Sequence, residues 1–410
     1  MPTSAVPSTS STAPAPPSER LAAELGELWR RTPGGCLGVA VGGRTVFAER
    51  ADEPVAPAST LKVVTAATAL ARIGANERLT TTVVSAAPVP DDGIVPGDLW
   101  LVGGGDPVLA TGAWAAARSQ PPALHTPLDA LADAVVARGV RVVEGRVLGD
   151  ESRYDAVRSV PTWSQHVKDS NEVGPLSALT VNDGFRSWSG EHGDPFPDAP
   201  SGAAAALLDL LVARGVQIRG GAGAGTAPPG PAVLARQQSP EVGALVQAML
   251  RDSDNGTAEL LLKELGLRAL REGSTAAGAL AVLDVLRAMG LPTAGVRIVD
   301  GSGLDDTNRA TCGFFLALLA TIPGDGVVAD GLPVAARTGT LERRFVGTPV
   351  AGRLRAKTGS LDGVAALVGY AGPSAGRSIA FAYVVEGIAS DAAGRRLYEE
   401  LATRLVAASG

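Results

Sequence analysis

The chain has 410 residues, 45% of them hydrophobic and only 4% aromatic, with a formal net charge of −6. That length predicts two domains whose cores rely on Ala, Val and Leu. The acidic balance argues against a nucleic-acid partner, and no apolar run approaches the roughly 20 residues of a membrane helix. The histidines His125, His166 and His192 and two cysteines have no metal-ligand spacing, so neither metal nor cofactor is expected.

Residues 1–18 are Ser/Thr/Pro/Ala-rich and read as a disordered leader. They lack the basic region and apolar core of a signal peptide. From Glu19 the spacing of Leu21, Leu25 and Leu28 predicts a helix. Cys36 to Val41 and Thr45 to Ala48, separated by Gly42-Gly43, predict a β-hairpin. A helix follows, with Ser59 at its N-terminal end. Between about Leu79 and Gln238 short strands alternate with Gly/Pro turns. Two Ala-rich helical stretches, LDALADAVVARGV and ALLDLLVARGV, both run into the phrase ARGV, which predicts an α+β unit with related halves. Helical texture returns after Gln238. Strand-like AALVGYAG and SIAFAYVVEG come next, then a closing helix from about Asp391 to Ala408. Residues 19–78 and 239–410 thus read as one discontinuous α/β domain, with an antiparallel sheet from both chain ends. Residues 79–238 read as an inserted α+β domain or domains.

Three short signatures carry chemistry: Ser59-Thr60-Leu61-Lys62 (S-x-x-K), Ser253-Asp254-Asn255 (S-D-N) and Lys357-Thr358-Gly359 (K-T-G). Each is weak alone; all three in this order arise by chance at odds on the order of one in a thousand or less. Residues three apart on a helix share a face, so Lys62 can reach the Ser59 hydroxyl. A neutral, desolvated amine can take the serine proton, and a nearby positive Lys357 would favour that neutral form. The free N–H at a helix N-terminus supplies half of an oxyanion hole. The chain has four lysines against 32 arginines, and two of the four fall in these motifs. Arginine cannot be deprotonated at workable pH, so it cannot replace a lysine base.

Other motifs read as structural. Gly372-Pro373-Ser374-Ala375-Gly376 fits the G-x-S-x-G elbow but precedes a strand and has no later histidine, so it reads as a hairpin turn. Arg337-Thr338-Gly339-Thr340-Leu341 echoes the K-T-G run and reads as a surface structural segment. Gly103-Gly104-Gly105-Asp106-Pro107 reads as a turn. Cys36 and Cys312, both in apolar runs, read as small buried hydrophobes in preference to a disulfide.

The trio, with PAST-x-K, LVGGGDP, SALTVNDG, SDN-x-x-AE, DGSGL and the paired RTGTL…RAKTGSL, resembles the D-alanyl-D-alanine carboxypeptidase/endopeptidase family, the class C low-molecular-mass penicillin-binding proteins. The resemblance runs from about Glu19 to the C-terminus. It implies a serine β-lactamase/transpeptidase-like α/β fold interrupted by an insertion, here shorter than two full domains. Ser59 would be the acyl-ester nucleophile, Lys62 its proton acceptor, and Ser253 the proton relay to the leaving D-alanine. Asn255 would bind the substrate amide, Lys357 and Thr358 would hold the terminal carboxylate, and Gly359 belongs with them to the substrate-binding residues. The N–H of Ser360 would complete the oxyanion hole. The implied partners are peptidoglycan stem peptides ending in D-Ala-D-Ala, with β-lactams as covalent inhibitors, in an extracytoplasmic setting. A β-lactamase-like hydrolase and a non-catalytic wall-associated scaffold are the alternatives. The middle segment, which holds none of the motifs, is expected to shape access without joining the chemistry.

Overall fold

A computed structural model of the protein describes residues 17–118, 124–189, 192–372 and 379–409. Helix α1 (Pro17–Trp29) leads into strands β1 (Gly35–Val41) and β2 (Arg44–Glu49). Gly42 and Gly43, both at positive φ, form the two-residue turn between them. A 3₁₀ turn (Ala58–Leu61) then passes into α2 (Lys62–Arg72).

The chain next enters a separate five-stranded sheet, built from β3 (Thr80–Ser85), β4 (Leu99–Val102), β5 (Val147–Asp150), β6 (Ala222–Ala224) and β7 (Ala232–Gln238), with spatial order β6-β5-β4-β3-β7. Helices α3 (Leu128–Ala137) and α4 (Ala199–Ala213) cover it. The two ARGV phrases each follow one of these helices, and the strands after them pair in parallel, Gln217 with Val142 and Ala222 with Val147. Strands β3 and β7 run antiparallel with Thr80 opposite Gln238, so the chain leaves and returns side by side.

Beyond Gln238 come α5 (Val242–Asp252), α6 (Asn255–Leu270), α7 (Thr275–Ala288), α8 (Cys312–Thr321), strands β8 (Leu354–Leu361), β9 (Val364–Ala371) and β10 (Ile379–Glu386), and α9 (Asp391–Ala408). The antiparallel sheet β8-β9-β10-β1-β2 joins both chain ends. Its three inner strands, β1, β9 and β10, are nearly continuous apolar runs because both faces are covered. Ala366, Val368, Ala382 and Val384 face a core shared with α2, α5, α6 and α8. Leu367, Phe381, Tyr383 and Val385 face α1 and α9. Among the described residues, no helix is long and apolar enough to cross a membrane.

Two expectations need comment. Cys36 and Cys312 are joined by a disulfide, contrary to the sequence reading, because α8 packs on β1 and brings their Cα atoms within 5.9 Å. The supposed leader (save its last two residues) and all of the Gly372–Gly376 run but Gly372 lie outside the described residues; the strands flanking that run pair antiparallel, Ala371 opposite Ile379.

Candidate active site

Ser59 lies in the 3₁₀ turn ahead of α2, rather than in the α-helix itself. The preceding Ala58 is fully buried at φ +48, a conformation that L-residues adopt at a cost. A Cβ on Gly303 would lie 2.0 Å from the Ala58 oxygen, and one on Gly359 would lie 3.0 Å from the Pro57 oxygen. The backbone before the nucleophile is therefore clamped between the 300–305 loop and β8, and the glycines permit that approach.

Lys62 is completely buried, and its Nζ has three partners: Ser59 Oγ at 3.0 Å, Asn255 Oδ1 at 2.6 Å and the Ser302 main-chain oxygen at 2.7 Å. Burial is the largest influence and pulls its pKa down to about 8, against the opposing charges of Asp300, Glu259, Asp254 and Glu172. A second network sits on β8. Lys357, also completely buried, donates to Ser253 Oγ at 2.8 Å and to its neighbour's oxygen, Thr358 O, at 2.9 Å. Burial first, then the positive charge of Lys62, hold Lys357 well below its ordinary range. Ser253 ends α5 in the left-handed region, φ +62, while Asp254 caps α6 by accepting from Gly256 N. That turn puts Ser253 toward Lys357 and Asn255 toward Lys62. Ser360 follows at an exposed position of β8.

Several neighbours were not expected from the sequence. Thr340, in the supposed surface echo Arg337–Leu341, has its hydroxyl 3.0 Å from that of Thr358. The middle segment also reaches the site. Asn255 Nδ2 contacts Glu172 at its main-chain oxygen (3.3 Å) and its carboxylate (3.4 Å). Trp163 donates to Asp300 at 2.8 Å, and Thr162 bonds Asp305. The buried Lys263 pairs with Asp155, and Glu264 accepts from Arg153 and Tyr154, anchoring the same segment to α6. The segment thus braces the loop that touches Lys62, which goes beyond shaping access. The phrase D-G-S-G-L was visible in the sequence, but nothing there showed its carbonyl meeting Lys62.

A cleft of about 430 Å³ runs from Ser253 and Asn255 past Glu172 to Phe185 and Trp188. A larger one, about 730 Å³, lies between α8 and the sheet and includes no residue of the three motifs. Among the described residues no cluster of three or more His, Cys, Asp or Glu is placed to hold a metal.

The fold brings two serine–lysine pairs together beside Asn255: Ser59 with Lys62, and Ser253 with Lys357. The chain matches the model of the D-Ala-D-Ala carboxypeptidase 3 (S13) family over residues 20–195 and 197–407, and it belongs to that family. It is 32% identical to carboxypeptidase DacB of Mycolicibacterium smegmatis, over 83% of this chain and 74% of that one. It is 29% identical to a D-alanyl-D-alanine carboxypeptidase of an Actinomadura species, over 84% and 76%. The crystal structure of penicillin binding protein 4 from Haemophilus influenzae superposes with a TM-score of 0.77 at 20% identity, covering 92% of this chain and 99% of that one.

Proposed function

We propose that this protein removes the terminal D-alanine of peptidoglycan stem peptides through an acyl-enzyme on Ser59, outside the cytoplasm, and that β-lactams acylate the same serine. One observation carries the proposal. Nζ of Lys62 lies within hydrogen-bond distance of Asn255 Oδ1, the Ser302 oxygen and Ser59 Oγ; once the amine is neutral, its two N–H groups can stay on the first two, and its one lone pair is then left for the Ser59 O–H, 3.0 Å away. Lys62 takes the Ser59 proton as Oγ attacks the scissile carbonyl, and the developing oxyanion lies toward the N–H groups of Ser59 and Ser360. Ser253 gives its hydroxyl proton to the nitrogen of the departing D-alanine and takes one back from Lys357, which donates to its Oγ at 2.8 Å. The substrate's terminal carboxylate settles on Lys357 and Thr358, and its negative charge draws a proton onto Lys357; that positive charge in turn favours neutral Lys62. Asn255 holds the substrate amide, and Gly359 lets β8 lie against the nucleophile's turn. A cleft also continues from Ser253 and Asn255 toward Phe185 and Trp188, and endopeptidase action, with the second stem lying along it, is part of the proposal.

The test is mass spectrometry after incubation with penicillin. A stable adduct on the peptide containing Ser59 is expected, absent from Ser59→Ala. An adduct that survives that substitution overturns the assignment, and rapid loss of the adduct favours a β-lactamase-like hydrolase.

A further inference from the structure

Helix α6 presents two residues four apart to the catalytic lysine's surroundings. Asn255 reaches Lys62 directly, and Glu259, one turn on, accepts the backbone N–H groups of Gly301 (3.0 Å) and Ser302 (2.8 Å) on its Oε1. Those two bonds, with the Thr65 hydroxyl on the Gly301 oxygen (2.6 Å), fix the peptide whose Ser302 carbonyl meets Lys62.

Beside Glu259 lies Asp300. Both are completely buried, and neither forms a salt bridge among the described residues. Two like charges in such a place do not both ionise cheaply, and their surroundings differ. The oxygens of Asp300 accept four donors: Gly303 N, Asn308 Nδ2, Asp305 N and Trp163 Nε1. Such a shell favours a carboxylate. Around Glu259 the donors are Gly301 N, Ser302 N and the Ser302 hydroxyl, while Oε2 is buried with no partner within hydrogen-bond distance, which disfavours charge there.

We propose that Glu259 holds its proton on Oε2 at neutral pH and is a positioning residue, an uncharged clamp that presents the Ser302 carbonyl to Lys62. Burial first and Asp300 second push its pKa up to about 8, in keeping with this assignment. The acidic groups facing Lys62 are Asp300, Glu259, Asp254 and Glu172, and the neighbouring basic group is Lys357, whose own proton burial and Lys62 disfavour. An ionised Glu259 would add a second buried negative charge and hold the proton on Lys62, so its neutrality keeps the amine available as a base. The inference rests on the base role of Lys62 set out above.

Two measurements test it. Infrared spectroscopy of the parent protein at pH 7 should show a carboxylic-acid C=O stretch that fades around pH 8 and is missing from Glu259→Gln. Glu259→Ala, which loses the clamp, should acylate slowly with a chromogenic β-lactam, and the neutral, isosteric Glu259→Gln should be about tenfold faster than it. Absence of the band at pH 7, its persistence in Glu259→Gln, or a Gln variant as slow as the Ala variant overturns the proposal. If the variants do not fold, the titration of the parent's band decides alone. Lys62→Arg reports separately on the base: rapid acylation by that variant would remove the lysine's role and leave the band where it is.

Discussion

Asn255 Nδ2 lies 3.3 Å from the main-chain oxygen of Glu172, a contact across 83 positions that sets the middle segment against the S-D-N motif. Together with Trp163 on Asp300, it makes that segment part of the frame around Lys62. Trp163→Phe keeps an aromatic ring against Val160 and Leu304 but removes the N–H. Removing one of the two donors to the buried Asp300 Oδ2, which keeps Asp305 N, should cost about 1.5–3 kcal/mol in denaturant unfolding, the usual worth of a hydrogen bond to a charged group. The acylation rate should also fall, because the 300–305 loop loses a support. A variant with parent stability and rate would show that the bond is idle.

Replacing residues 79–238 by a short linker should abolish acylation even where circular dichroism shows a folded outer domain. The substitution removes Glu172, Trp163 and the ion pairs to Lys263 and Glu264 together. Retained acylation in a folded variant would mean the bracing is dispensable.

Acylation should rise with pH as Lys62 loses its proton. With its pKa lowered to about 8, the neutral fraction falls about tenfold per pH unit below that point, so the second-order rate at pH 6 should be about a hundredfold below the alkaline plateau. The acid limb of a stopped-flow pH profile measures this. A rate that is flat from pH 6 to 9 would exclude a lysine titrating there.

The parts legible in the sequence are local ones. Ser59 and Lys62 meet because they are three residues apart, and the closing helix was readable from its apolar spacing as Asp391–Ala408. Contacts made by distant backbone were not. Ser302 touches Lys62 across 240 positions through a carbonyl, which has no residue-type signature. Thr340 meets Thr358 only because the chain folds back at Gly339, φ +57. Ser59 sits in a 3₁₀ turn because Ala58 adopts a strained φ under contacts from Gly303 and Gly359, which no local propensity encodes.

The Cys36–Cys312 bond spans 276 positions and ties β1 to α8 across the core. Closing so long a loop restricts the unfolded chain strongly, so Cys36→Ser with Cys312→Ser should lower stability by about 2–5 kcal/mol. Urea unfolding of the double variant, and of the parent with and without reductant, measures this. The reduced parent and the double variant should agree; identical midpoints for all samples would mean the bond adds nothing.

Lys62→Arg separates proton transfer from charge stabilisation. Arginine retains the positive charge and the donors toward Asn255 and Ser302, but has no accessible neutral form. If Lys62 only stabilised the oxyanion, much of the rate would survive. With the lone pair directed at Ser59 as the two occupied acceptors imply, the loss should match that of Lys62→Ala, about 10²–10⁴-fold. The longer guanidinium also has to fit where no part of Lys62 is exposed, so circular dichroism must first establish folding. The Ala variant, smaller than the parent residue, controls for crowding. An arginine variant that acylates within a few-fold of the parent would remove Lys62 as the base and leave charge stabilisation as its role.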